Sequence, residues 1–235
     1  MIIAIDGTSG SGKSTLAKKL AKTLNFGFFS AGALYRAITY KALKLDISDT
    51  NDEALKNLIE TTKVFYVYDG EKNVMEIDGI DITSHLHDEI ISSNVAKYSC
   101  KPYIREFVRR LQQETALNNE HIVMEGRDIG SVIFPNADFK VFIDCNVETR
   151  AKRRFDDISK TDNTVTYEQV LEDLKERDFK DSTREISPLV MCKDAYLLDT
   201  SSTPIQECIN MMIKQLINRG LLSKNYLEEK NQPTK

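Results

Sequence analysis

Eight consecutive residues, Gly7-Thr8-Ser9-Gly10-Ser11-Gly12-Lys13-Ser14, set three glycines, a lysine and a hydroxyl at the spacing G-x-x-x-x-G-K-[S/T]. Glycine lets the backbone curl until successive N–H groups converge on one anion. A helix beginning at Lys13 would add the partial positive charge of its N-terminus. Lys13 would reach the β- and γ-phosphates of a nucleoside triphosphate, and the Ser14 hydroxyl would ligate Mg2+.

Arginine placement suggests a second phosphate. The chain has eleven arginines, and nine of them lie between Arg105 and Arg184. The guanidinium fork suits bidentate phosphate contacts. A surface lattice of ion pairs would also collect arginines, but beside a phosphate loop the phosphate reading leads. Glu125 and Asp144 each end an apolar run, and either could orient Mg2+ through water. His85 and His87 are two apart, which is no strong metal signal, and they read as solvated surface histidines.

These groups need a scaffold. Ile2–Ile5, Ile122–Met124, Val141–Ile143 and Tyr196–Leu198 read as buried strands, with Phe26–Phe29 a weaker fifth. Helical spacing covers Lys13–Leu24, Ala33–Lys44, Tyr103–Leu117, Val147–Arg154, Tyr167–Arg177 and Ile205–Ile217. Alternating strands and helices imply an α/β fold, a mostly parallel sheet with helices on both faces, which binds ligands at strand C-terminal ends. The phosphate loop, Ser30 and Glu125-Gly126-Arg127-Asp128 all follow such ends. Between Lys63 and Thr83 the period falls to two: Val64–Tyr68, Val74–Ile77 and Ile80–Ile82, with Asp69-Gly70 and Asp78-Gly79 between them. Asp-Gly favours the type I′ hairpin turn, so a small three-stranded antiparallel insert is expected. Phe155 to Thr166 is polar, shows no apolar periodicity and lies between basic helical segments, as a lid over phosphates would. Ser223 to Lys235 reads as a disordered tail.

At 235 residues, 41% apolar and 29% charged, the chain suits one globular domain with a small insertion. No apolar run reaches transmembrane length, and the four cysteines are scattered without C-x-x-C spacing, so a cytoplasmic protein with reduced thiols is expected. The net charge of −4, with no aromatic–basic stacking pattern, argues against nucleic-acid binding. The absence of heptads points to a monomer.

No Asn-Lys dipeptide occurs, so the guanine-reading segment of GTPases is missing. Four blocks in order, IDGTSGSGKST, SAGALYR, EGRDIGSVIFPNAD and KERDFKDSTREISPL, resemble the bacterial cytidylate kinases from Met1 to about Leu216. The resemblance implies a P-loop nucleoside monophosphate kinase fold: a five-stranded parallel sheet flanked by helices, an antiparallel insert in the monophosphate-binding region and a short arginine-rich lid. In residue terms this is one kinase domain over 1–222, with core 1–61 and 99–222, insert 62–98 and lid 151–166. It implies ATP as donor, held by Gly7, Thr8, Ser9, Gly10, Ser11, Gly12, Lys13, Ser14 and Thr15, with Mg2+ on Ser14, and CMP or dCMP as acceptor. Arg36, Arg127 and Arg184 would hold the acceptor phosphate, Arg105 and Asp128 would read cytosine, and Arg177 and Asp181 would lie near the ribose. Lys13, Arg127, Asp128, Arg153 and Arg154 would form the catalytic set, the last two as lid residues. Two family hydroxyls are replaced here, by Ala31 and Ala96.

The side chains suit these roles. A carboxylate accepts from cytosine N4, and an arginine donates to N3; uracil reverses both groups. A kinase for another monophosphate such as UMP, or a non-catalytic nucleotide-binding regulator, is the alternative. Arg177 and Asp181 could instead form an ion pair across one helical turn, and Asp128 could cap a helix starting at Ile129.

Overall fold

The computed structural model describes residues 1–68, 70, 72–160 and 164–226. Asp69 of the expected Asp69-Gly70 turn, positions 161–163 of the expected lid and positions 227–235 of the expected tail lie outside the described residues.

Strands β1 (Ile2–Gly7), β2 (Gly27–Ser30), β6 (Ile122–Gly126), β7 (Phe139–Asp144) and β8 (Tyr196–Asp199) form one sheet in the order β2-β6-β1-β7-β8. β1 is central and pairs in parallel with both β6 and β7, in a register that sets Asp6 beside Gly126 and Gly7 beside Ile143. From Ile3 to Gly7 every β1 residue is buried, as expected of a parallel strand covered on both faces. Three further strands, β3 (Val64–Tyr68), β4 (Asn73–Ile77) and β5 (Ile80–Asp81), make the antiparallel sheet. Asp78 and Gly79 both have positive φ, 54° and 81°, as the type I′ turn between β4 and β5 requires.

The chain divides into two compact units, Met1–Phe26 with Ile122–Lys235, and Gly27–His121. The first holds the phosphate loop, α1 (Lys13–Leu24), α6 (Val147–Ile158), α7 (Tyr167–Thr183) and α8 (Ile205–Asn218). The second holds α2 (Ala31–Lys44), α3 (Asp52–Thr61), α4 (Glu89–Ser99) and α5 (Pro102–Leu117), with the antiparallel sheet. No helix among the described residues is long and apolar enough to cross a membrane.

Four details differ from the sequence reading. α6 runs to Ile158, so Phe155–Ile158 is helix rather than loop. Val147, Ala151, Phe155 and Ile158 fall on one face and pack against Val170 and Leu174 of α7, an apolar stripe masked by the polar residues between them. The second half of the expected insert is helical: Ile91, Val95 and Tyr98 form the buried face of α4. α3 carries an Asn51 cap, whose side chain accepts from the Ala54 N–H, and was not anticipated. The expected tail begins ordered, since the Tyr226 hydroxyl donates to the Leu24 carbonyl at 3.0 Å and its ring meets Phe26 edge-on.

Candidate active site

The phosphate loop follows the end of β1, where the chain must leave a crowded sheet. Gly7 has φ +152°, and a Cβ there would lie 2.1 Å from the Ile143 carbonyl oxygen, so no side chain fits. Gly12, at φ +84°, turns the chain into α1. α1 then buries Leu16, Leu20 and Leu24, which fixes its N-terminus at the loop.

Within the loop, the Lys13 ammonium donates to the Thr8 carbonyl at 2.7 Å, and the Ser11 hydroxyl donates to the same oxygen at 2.9 Å. Burial, reinforced by the positive charge of Arg127, lowers the Lys13 amine to about 7; Glu125 opposes the shift. An anionic phosphate would supply the counter-charge this buried cation needs. The Ser14 hydroxyl donates to Glu125 Oε1 at 2.9 Å. Glu125 adjoins Ser14, whereas Asp144 Oδ1 accepts from the backbone N–H of its neighbour Cys145. A hydroxyl and a carboxylate oxygen are the hard donors Mg2+ takes alongside phosphate oxygens and water, so the residues present fit the metal. No group of three possible metal ligands occurs among the described residues.

Arg127, just past β6, donates from Nε to Asp181 Oδ2 on α7 at 2.8 Å, and Arg184 Nη1 lies 3.6 Å from Asp181 Oδ1. Burial would push the Asp181 carboxyl up, but Arg127, Arg177 and Arg184 outweigh it and hold the carboxyl below its usual range. Asp181 thus hydrogen-bonds to Arg127 across the site and also feels the charge of Arg177 one turn away. Arg184 also donates from Nε to the Ser187 carbonyl at 2.6 Å. Lys13 feels Arg127, Arg177 and Asp181 electrostatically, so this cluster lies close to the phosphate loop.

Arg153, within the expected lid segment, lies on α6. Its Nη2 donates to the carbonyls of Thr200 and Ser201, at 2.8 and 3.3 Å. There it walls a cavity of about 400 Å³ between Gly10–Gly12, Thr15 and Leu16 on one side and Thr200–Ile205 and Cys208 on the other. Arg154 follows it on α6, half-buried.

The second unit carries Arg36 and Arg105. Arg36 Nη1 donates to the Ser92 hydroxyl at 2.8 Å and to the Leu86 carbonyl at 3.3 Å. Arg105 is buried on α5, donates to the Ser99 carbonyl at 3.1 Å and lies over the Tyr35 ring. Neighbouring Arg109 is instead committed to Glu106 at 2.7 Å. His87, beside Arg36, has its imidazole pKa lowered by burial and by that charge.

The sequence model of the cytidylate kinase family matches residues 3–218. The chain belongs to that family. A cytidylate kinase of Ligilactobacillus salivarius (strain UCC118) is 42% identical over 231 residues, 97% of each chain. One of Clostridium tetani (strain Massachusetts / E88) is 36% identical, covering 100% of this chain and 99% of that one. Among solved structures, an uncharacterized protein from Eubacterium ventriosum ATCC 27560 superposes with a TM-score of 0.51 at 17% identity, over 93% of this chain and 98% of that one. At that identity the likeness concerns the fold alone.

In this member of the cytidylate kinase family, neither serine near the two replaced hydroxyls is idle. Ser30 caps α2 by accepting from the Ala33 N–H at 3.2 Å, and Ser99 donates weakly to the Ala96 carbonyl at 3.4 Å. The sequence reading also passed over Arg150. This buried guanidinium donates to the Cys145 carbonyl (2.8 Å), the Ser9 carbonyl (2.8 Å) and Asp178 Oδ2 (2.6 Å), and so ties the phosphate loop to α6 and α7.

Proposed function

We propose that this chain transfers the terminal phosphoryl group of ATP to CMP, giving ADP and CDP, and that it also accepts dCMP. One observation carries the reading. An intact phosphate loop, with Lys13 buried and Ser14 beside Glu125, shares its electrostatic surroundings with the Arg127–Asp181–Arg184 cluster. A kinase acting on a sugar or other hydroxylated metabolite needs a general base and no second phosphate cradle. A monophosphate acceptor needs the cradle and no base, because its oxygen is already anionic near pH 7.

In this reading an acceptor phosphate oxygen attacks the γ-phosphorus in line. A new P–O bond forms as the bond to the β-phosphate oxygen breaks, and ADP leaves with that electron pair. Catalysis is positioning and charge stabilisation. Gly7 to Thr15 hold the triphosphate, and Lys13 follows the developing charge. Ser14 and Glu125 would hold Mg2+, which would supply positive charge to offset that of the triphosphate. Arg36, Arg127 and Arg184 hold the acceptor phosphate, Arg105 and Asp128 read cytosine, and Arg177 and Asp181 meet the ribose. Arg153 and Arg154 serve as the lid cations, and Arg153 also walls the cavity that takes the donor base. The enzyme acts as a monomer, one kinase domain over 1–222 with a lid at 151–166.

An ADP-release assay with ATP and Mg2+, offering CMP, dCMP, UMP and AMP beside a blank without acceptor, tests this. Turnover with CMP and dCMP well above UMP is expected. Equal or faster turnover with UMP would overturn the base assignment, and no turnover above the blank would favour a nucleotide-binding regulator.

A further inference from the structure

Asp6 is buried at the end of β1, one residue before the phosphate loop. Both of its carboxylate oxygens are engaged by backbone N–H groups. Oδ1 accepts from the Ile129 N–H at 2.8 Å, and Oδ2 accepts from the Gly130 N–H at 2.7 Å. These are the two residues directly after Asp128, the proposed cytosine-reading carboxylate.

The local backbone explains why this matters. Ile129–Ile133 forms one wide helical turn, closed by i+5 bonds from Ile133 N–H to the Asp128 carbonyl (3.1 Å) and from Phe134 N–H to the Ile129 carbonyl (2.7 Å). The first N–H groups of such a turn have no acceptor within it. An aspartate just before the turn ordinarily supplies one from its own side chain. Asp128 stands at that position and makes no such bond. The acceptor comes instead from Asp6, 122 residues earlier in the chain, which reaches the turn because Asp6 lies beside Gly126 in the sheet register. On the far side of the loop there is little slack. A Cβ on Gly130 would lie 3.3 Å from Asp6 Oδ2 and 3.2 Å from Lys140 Cδ.

We propose that Asp6 is a positioning residue for acceptor selection: by capping the Ile129–Ile133 turn from the neighbouring strand, it keeps the Asp128 carboxylate out of the cap and sets its direction toward the base. This rests on the cytidylate kinase reading given above. It also ties the residue preceding the phosphate loop to the discrimination of cytosine from uracil.

The test is a double-mutant cycle read as the CMP-to-UMP ratio of kcat/KM. Asp6→Asn presents an amide N–H₂ to one of two N–H donors, so the turn must rotate. The ratio should fall about tenfold while the KM for ATP stays within about twofold. In Asp6→Asn/Asp128→Asn the ratio should equal that of Asp128→Asn alone, because Asp6 acts through Asp128. Effects that multiply, or an unchanged ratio with the KM values for ATP and CMP rising together, would overturn the proposal. Should Asp6→Asn not fold, Gly130→Ala crowds the same contact and should lower the ratio with the KM for ATP unchanged; a folded Gly130→Ala variant with the wild-type ratio would overturn it. Wild-type protein indifferent to the acceptor base would overturn the cytidylate kinase reading itself, a failure visible before any variant is made.

Discussion

Arg150 and Asp178 meet at 2.6 Å, and between them they hold both ends of one phosphate-loop residue: Arg150 donates to the Ser9 carbonyl, and Asp178 Oδ1 accepts, at 3.4 Å, from the Ser9 N–H. A loop built on glycines has little stiffness of its own, so its shape must come from neighbours. This pair supplies it from two helices at once.

Arg150→Ala should therefore unfold more easily, by about 3 kcal/mol, because it strands a carboxylate and two backbone carbonyls. Arg150→Lys keeps the charge but sets its donors on one nitrogen, which cannot span acceptors now met by Nε, Nη1 and Nη2, and should fall between the two. Urea denaturation gives the energies. The KM for ATP should rise more than the KM for CMP in both variants, and the opposite order would argue against a role centred on the phosphate loop.

Glu125→Gln should raise the Mg2+ concentration needed for half-maximal rate, with a kcat loss on the order of a hundredfold at low Mg2+ that partly recovers as Mg2+ is raised. Asp144→Asn should leave the Mg2+ dependence near wild type, because Asp144 faces Cys145 rather than Ser14. Rates across a Mg2+ titration, with a chelator-treated control, decide between the two acids.

Lys13 should take up a proton when ATP binds. Its amine is lowered to about 7 by burial, so above that pH it is largely neutral, and the triphosphate restores the charged form. At pH 8, titration calorimetry in buffers of different ionisation enthalpy should show net proton uptake. Lys13→Met should abolish most of it. Equal uptake in that variant would assign the proton to another group.

Asp6 makes a prediction about stability. Burial raises its carboxyl from 3.8 to about 6, against the opposing pull of the Gly130 and Ile129 N–H groups. Between those pH values the folded state binds more protons than the unfolded state, so this contribution is fully present below pH 4 and is lost as pH rises through 6. The loss is about 3 kcal/mol by pH 7. Asp6→Asn does not titrate, so the stability gap between wild type and variant should shift by about that amount between pH 4 and pH 7. A gap independent of pH would mean Asp6 titrates normally.

The phosphate loop and its frame were legible because local pattern and tertiary role coincide: Ile3–Ile5 is buried on both sides, and Leu16, Leu20 and Leu24 lie on one helical face. The type I′ turn at Asp78-Gly79 was legible for the same reason. Arg150 was not, because two of its three partners are backbone carbonyls, which every residue possesses. Asp6 was not, because its partners depend on the register between β1 and β6. The end of α6 was hidden because its apolar positions are spaced among acids and lysine, and contact with Val170 and Leu174 rather than propensity extends the helix. The partners of Arg36 and Arg105, namely Ser92, Leu86 and Ser99, could not be read from residue type, because they depend on how the helices pack.

The first compact unit is interrupted: Met1–Phe26 belongs with a segment that starts only at Ile122. On the ribosome, the phosphate loop therefore leaves the exit tunnel long before either strand that flanks β1. β6 ends more than a hundred residues after Gly7, an interval of roughly 6–24 s at ordinary elongation rates. By the end of that interval Gly27–His121 is complete, while β1 has remained a bare apolar strand. The newborn chain thus builds its second unit before its first, and the nucleotide cradle, although made ahead of that unit, is among the last parts to take shape.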